Sequence, residues 1–105
     1  QHKLNNLTVL IDQNDFQAMG KTEDILKTYF PCGGHWNYSY PEGHDYKQIE
    51  NALREDWVRY PEKPRVVVCK TIKGKGVSFM ENNNLFHYKA PNEEEYKQAL
   101  KELNV

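Results

Sequence analysis

Three stretches combine side chains whose types and spacing could do chemistry. The first is Asp12-Gln13-Asn14-Asp15-Phe16-Gln17 with Gly20-Lys21-Thr22-Glu23 shortly after. Asp and Asn at a strand end commonly form turns and cap helices. An Asn side-chain oxygen beside a backbone carbonyl also suits Mg²⁺, a hard cation that leaves positions for diphosphate and water. The second is Lys70-Thr71-Ile72-Lys73-Gly74-Lys75-Gly76. Its glycines let the backbone approach a ligand closely and its lysines would favour an anion, although a solvated lysine turn has the same composition. It is not a Walker loop, because GxxxxGK[ST] is absent and no helix pattern follows. The third, Phe86-His87-Tyr88-Lys89-Ala90-Pro91, sets one imidazole between aromatics. His35 and His44 have no partners at metal-ligand spacing, which argues against zinc. Cys69 in its apolar run and Cys32 before a turn read as inert thiols, and Trp36 and Trp57 fit apolar faces.

These stretches need elements to hold them. Leu7–Asp12 is a short apolar, β-branched run ending in an acid, as in a buried parallel strand. Asn14–Gly20 reads as a loop. A helix is predicted from the cap Thr22 through Ile25, Leu26, Tyr29 and Phe30, stopped by Pro31-Cys32-Gly33-Gly34. His35–Tyr40 reads as a second strand and Pro41-Glu42-Gly43-His44 as a turn. Asp45 caps the next helix, with Gln48 as capping-box partner, and Ile49, Ala52, Leu53, Trp57 and Tyr60 recur at helical spacing until Pro61 and Pro64. Arg65–Thr71, with Val66-Val67-Val68-Cys69 in succession, is a third buried strand. A loop rich in Gly and Asn runs from Lys73 to about Pro91. The last helix starts at Asn92, with Glu95 as capping-box partner, and is expected to bury Tyr96, Ala99, Leu100 and Leu103. The order is β-α-β-α-β-loop-α: an α/β fold, with a partial parallel sheet and crossover helices. Such sheets bind ligands beyond the carboxyl ends of their strands, where Gln13–Lys21, Pro41–His44 and Ile72–Pro91 lie.

Composition narrows the classes. At 105 residues the chain fits one domain near the lower size limit for a self-sufficient core. With 14 Lys+Arg against 15 Asp+Glu there is no basic field for nucleic acid and no acidic tail. No run approaches the roughly 20 apolar residues of a membrane span, and the first six residues are polar, unlike a signal peptide. Two cysteines without CxxC spacing fit a reducing cytoplasmic setting better than a disulfide framework.

Five motifs together resemble one family. Lys3-Leu4-Asn5-Asn6-Leu7-Thr8-Val9 leads into the first strand. Asp12–Gln17 with Gly20–Glu23 fits D-x-N-x-x-Q-x-x-G-[KR]-T-E. The others are the Gly43-His44-Asp45 turn, the run Lys70–Asn82, and His87-Tyr88-Lys89-Ala90-Pro91-Asn92-Glu93-Glu94-Glu95-Tyr96. In this order they resemble the diphosphate-binding domain of transketolases, above all the split prokaryotic kind whose N-terminal subunit is a separate chain. The resemblance implies thiamine diphosphate bound through Mg²⁺. Asn14 would ligate the metal with its side-chain oxygen and Phe16 with its carbonyl. Lys73 would lie in a loop near the cofactor, and His87 would stand near the diphosphate and the reacting carbon, a catalytic role in hydrogen-bonding donor-sugar hydroxyls. It further implies ketose and aldose substrates, phosphorylated or related, and either the remaining domains or a partner subunit in a homo- or hetero-oligomer.

The departures carry expectations too. The family's Gly-Asp-Gly, whose Asp is the other side-chain Mg²⁺ ligand, should precede Asn14 and is absent. So are the upstream substrate-binding histidines and the activating Glu of the pyrimidine-binding half. Residues 1–105 are therefore expected to be the C-terminal portion of such a domain, inactive by itself. Glu42 and Phe86 stand where Asp and Trp are usual, which leaves the sugar open. Two alternatives remain at this stage: another thiamine enzyme of this fold, such as a 2-oxo-acid dehydrogenase component or a deoxyxylulose-phosphate synthase, or a non-catalytic assembly fragment.

Overall fold

The computed structural model describes residues 4–17, 20–21, 34–59 and 61–105. The chain divides into two compact units, one of Gln1–Gln13 with Asp24–Thr71, the other of Asn14–Glu23 with Ile72–Val105.

The first unit holds a parallel sheet of β1 (Thr8–Gln13), β4 (Asn37–Ser39) and β5 (Arg65–Lys70), in the order β1-β5-β4. Val66, Val67 and Val68 are at most 1% exposed, and Cys69 is buried with them. β5 is central, so both of its edges are hydrogen-bonded, and its apolar succession suits a strand covered on both faces. The strand pattern predicted for β1 is present, from Thr8 to Gln13, yet Leu10 is 58% exposed. The prediction of a buried strand fails here because, among the described residues, β1 pairs on one side only, with β5. Arg65 opens β5 as a buried charge. Its guanidinium donates to Thr8 Oγ1 on β1 and to the Leu53 carbonyl at 3.0 Å.

Helix α1 (Tyr46–Arg59) contains Leu53 and lies against β4 and β5. Asp45 caps it, its carboxylate accepting from the amides of Lys47 at 2.9 Å and Gln48 at 3.1 Å. The predicted capping box is modified. Gln48 donates to the Asp45 carboxylate and accepts from the Glu42 amide at 3.1 Å, so its side chain ties the preceding turn to the helix instead of closing on the cap amide. The helix predicted from Thr22 to Phe30 and its Pro31-Cys32-Gly33 stop lie outside the described residues.

The second unit begins with β2 (Phe16–Gln17) and β3 (Gly20–Lys21), an antiparallel pair where the sequence reads as loop. It continues with the Ile72–Asn83 segment, a 3-10 turn (Asn84–His87) and helix α2 (Glu93–Glu102). The predicted capping box of α2 is complete. The Asn92 side chain accepts from the amides of Glu94 and Glu95, and the Glu95 carboxylate accepts from the Asn92 amide at 2.8 Å. Its predicted apolar face is only partly covered: Ala99 is buried and Leu100 half-buried, whereas Tyr96 and Leu103 are each about half exposed. A ten-residue helix against a loop has less to bury than one against a sheet.

Candidate functional site

The segments that carry Asn14 and Lys73 leave adjacent parallel strands at the same level. Gln13 and Lys70 are register partners, and the Thr71 amide donates to the Gln13 carbonyl at 3.1 Å, extending the ladder by one bond. The Thr71 hydroxyl also donates to the Asp12 carboxylate. The Gly43 turn closes on the same strand end, its amide donating to the Lys70 carbonyl at 2.9 Å. A Cβ on Gly43 would stand 2.7 Å from that carbonyl oxygen and would overlap the Thr71 methyl, so the approach requires glycine. Cys69, one residue before this end, has its thiol pushed above the ordinary range, first by burial and then by the Asp12 charge. Such a thiol is neutral and a poor nucleophile.

All four residues singled out from the sequence, Asn14, Phe16, Lys73 and His87, belong to the second unit. Asn14 is half-buried, and its Oδ1 accepts from the Phe16 amide at 3.0 Å, a local turn that fixes the side chain. Asp15 between them is held at φ 62°, the left-handed region that a non-glycine residue rarely adopts. An amide oxygen has a second lone pair, so Asn14 can meet a cation while keeping this bond. β2, which starts at Phe16, runs beside the 3-10 turn that ends at His87.

Lys73 is half-buried, and its carbonyl accepts from the Asn82 amide at 2.9 Å, closing the loop between them. Gly74, at φ 71°, makes the closure possible. A Cβ there would lie 2.5 Å from the Met80 carbonyl oxygen. The Gly76 amide donates to the Glu81 carboxylate at 3.0 Å, while Ser78 donates its amide and hydroxyl to Glu102 on α2. These donations hold the Glu102 carboxyl below the ordinary range, the Ser78 amide first and the Gln98 and Ser78 side chains after it.

His87 is exposed at the end of its 3-10 turn, and among the described residues nothing hydrogen-bonds its ring. Phe86 beside it packs on Phe79 with ring centroids 5.5 Å apart, and the Lys89 ammonium stands 5.1 Å from the Phe86 centroid while pairing with Glu95 at 3.1 Å. Among the described residues no three His, Cys, Asp or Glu side chains gather into a metal cluster. The oxygen donors at Asn14 and Phe16 are therefore partial, suited to a hard cation that also takes oxygens from a ligand or from the rest of a site. Sequence reading passed over Asn83, whose side chain bonds in two directions beside the His87 turn. Within an Asn82-Asn83-Asn84 run nothing local distinguishes the capping residue from its neighbours.

A parallel α/β sheet with chain segments leaving adjacent carboxyl ends, and with oxygen donors, a glycine-shaped loop and an imidazole in those segments, defines a ligand-binding α/β domain. The family model described as "Transketolase, thiamine diphosphate binding domain" matches residues 1–105. The chain belongs to that family. It is 36% identical over 108 residues to one of the two-chain-type relatives, the apulose-4-phosphate transketolase subunit of Actinobacillus succinogenes, covering 98% of this chain and 38% of that protein. It is 33% identical over 106 residues to a 6-deoxy-6-sulfo-D-fructose transketolase subunit of a Clostridium species, covering 96% and 38%. The crystal structure of transketolase from Campylobacter jejuni superposes with a TM-score of 0.77 at 26% identity, over 99% of this chain and 17% of that one. The chain thus spans 38% of the length of these curated subunits.

Proposed function

We propose that the intact protein is a transketolase, moving a two-carbon ketol unit from a ketose, phosphorylated or related, to an aldose acceptor. One observation carries this reading: the residues that match the family's motifs, Asn14, Phe16, Lys73 and His87, fall in one compact unit whose segments continue from the carboxyl ends of β1 and β5. Bound thiamine diphosphate would supply the nucleophilic carbon for breaking and making the carbon–carbon bond. The protein's part is position and electrostatics. Asn14 Oδ1 and the Phe16 carbonyl would ligate Mg²⁺, a role supported by the oxygen-only donor set and by the turn that pins Asn14 to the Phe16 amide. Lys73, in the closed loop, would face the diphosphate side. The exposed His87 ring, free to donate or accept, would hydrogen-bond hydroxyls of the donor sugar.

The similar proteins named as subunits support a partner chain or further domains completing the site in a homo- or hetero-oligomer. Carbohydrate metabolism and a cytoplasmic setting go with the same reading. Among the described residues no helix is long and apolar enough to cross a membrane. Apulose 4-phosphate and 6-deoxy-6-sulfo-D-fructose, the sugars in the relatives' names, are the donors to assay first, with pyruvate as the control for a 2-oxo-acid enzyme.

The test is a calorimetric titration of the intact protein with thiamine diphosphate and Mg²⁺. Asn14→Ala is expected to weaken cofactor affinity by about tenfold or more, since even outer-shell changes at a metal cost that much. Equal affinity in the two proteins would sink the ligand assignment.

A further inference from the structure

We infer that Asn83 is the positioning residue for His87, an assignment that rests on the proposed role of His87. The argument begins with what the imidazole lacks. His87 is exposed, and among the described residues no partner fixes its ring, so the direction in which it projects is set by the backbone that carries it. That backbone is the four-residue 3-10 turn Asn84–His87. A turn this short has no cooperative stability of its own and takes its geometry from whatever satisfies its ends.

Asn83 satisfies the near end and anchors it. Its Oδ1 accepts from the Leu85 amide at 3.1 Å, and its Nδ2 donates to the Phe79 carbonyl at 3.1 Å. Its backbone joins the same connection, the amide donating to the Met80 carbonyl at 3.1 Å and the carbonyl accepting from the Phe86 amide at 3.3 Å. One half-buried side chain thus fastens the His87 turn to the Phe79–Met80 stretch of the glycine-shaped loop. Phe86 on Phe79 adds a packing contact across the same join. At the far end, the Tyr88 and Lys89 amides both return to the Leu85 carbonyl, so the residue whose amide Asn83 caps also holds the exit from the turn. Removing the Asn83 amide group would release the Leu85 amide and the Phe79 carbonyl together, leaving the turn free to swing.

A group placed about 1 Å from its working position can lose up to about a hundredfold in rate. Asn83→Ala in the intact enzyme is therefore expected to lower kcat with a ketose donor by about tenfold to a hundredfold, with thiamine diphosphate affinity unchanged. Asn83→Asp keeps the acceptor for the Leu85 amide and should recover part of that loss, which also guards against an Ala variant that fails to fold. The deciding measurement combines Asn83→Ala with His87→Ala. A positioning residue adds no further loss once the imidazole is gone, whereas a residue serving stability alone lowers kcat by the same factor in either background. Should His87→Ala itself leave turnover intact, the reading of His87 falls and the assignment with it. Should His87→Ala slow the enzyme while Asn83→Ala does not, or while the two losses multiply, the role of His87 stands and the positioning assignment alone is overturned.

Discussion

At the residue scale, glycine and asparagine decide the geometry of the candidate site, and they do it through backbone space and through amide groups rather than charge. Gly74 shows how little tolerance there is. Its φ of 71° disfavours any side chain, and the atoms that a Cβ would strike are the Met80 carbonyl and its Cβ, which belong to the loop's own backbone and cannot swing aside. Gly74→Ala is expected to cost about 2 kcal/mol or more, from left-handed strain and overpacking together, read by chemical denaturation of the intact protein. A variant within about 0.5 kcal/mol of the parent would mean that the loop relaxes at no cost. The residue types at the site were legible: Asn14, Lys73 and His87 stand out as chemistry in the right order. Their supports were not. That Asp15 takes a positive φ, that Asn83 rather than Asn82 or Asn84 caps the His87 turn, and that Gly43 sits against the Lys70 carbonyl depend on atoms distant in sequence or on one dihedral among equals.

At the element scale, the second unit is held by caps and clamps more than by a core, because Val77 and Ala99 are its buried apolar residues among those described. The Glu95 carboxylate is held below the ordinary value of 4.5, first by the Asn92 amide and then by Lys89. Glu102 is lowered likewise by the Ser78 amide, and Asp45 in the first unit by Gln48. A carboxyl whose folded pKa lies below its unfolded one stabilises fully above the unfolded value, and that contribution disappears as pH falls through the folded one. Thermal stability should therefore be level from pH 7 to about 5 and decline from about 4.5 downward. Glu102→Gln should lower Tm at pH 7 more than at pH 3.5, since it removes an interaction that acid has already weakened. An equal Tm shift at the two pH values would show that the Glu102 clamp contributes nothing through its charge. The α2 capping box was legible because Asn and Glu at three-residue spacing have one local use. The β2–β3 pair was not, since strands of two residues are too short to show a period.

At the scale of the whole molecule, the class was legible and the ranking of its strands was not. Alternation of short apolar runs with amphipathic ones dictates a parallel sheet with crossovers, and such a sheet is present. Yet Leu7–Asp12 reads as apolar as Val66–Cys69, and only the pairing order β1-β5-β4 reveals that the first lies at an edge and the second in the middle. Order in a parallel sheet follows from which crossovers pack, and that information is spread over the whole chain. The consequence is an uneven distribution of stability. β5 has partners on both sides and three valines with essentially no exposure, whereas β1 carries a half-exposed Leu10. The amides of Val66–Val68 are expected to be the last to exchange with deuterium in the intact protein, since core strands open only with global unfolding. Val67→Ala removes two buried methylene equivalents and leaves a cavity, a loss of about 2 to 3 kcal/mol. If β5 is the common support of the sheet, Val67→Ala should speed exchange in β5, β1 and α1 by one shared factor, because one global opening exposes all three. Faster exchange confined to β5, or α2 amides that outlast those of Val66–Val68, would show that the core lies elsewhere.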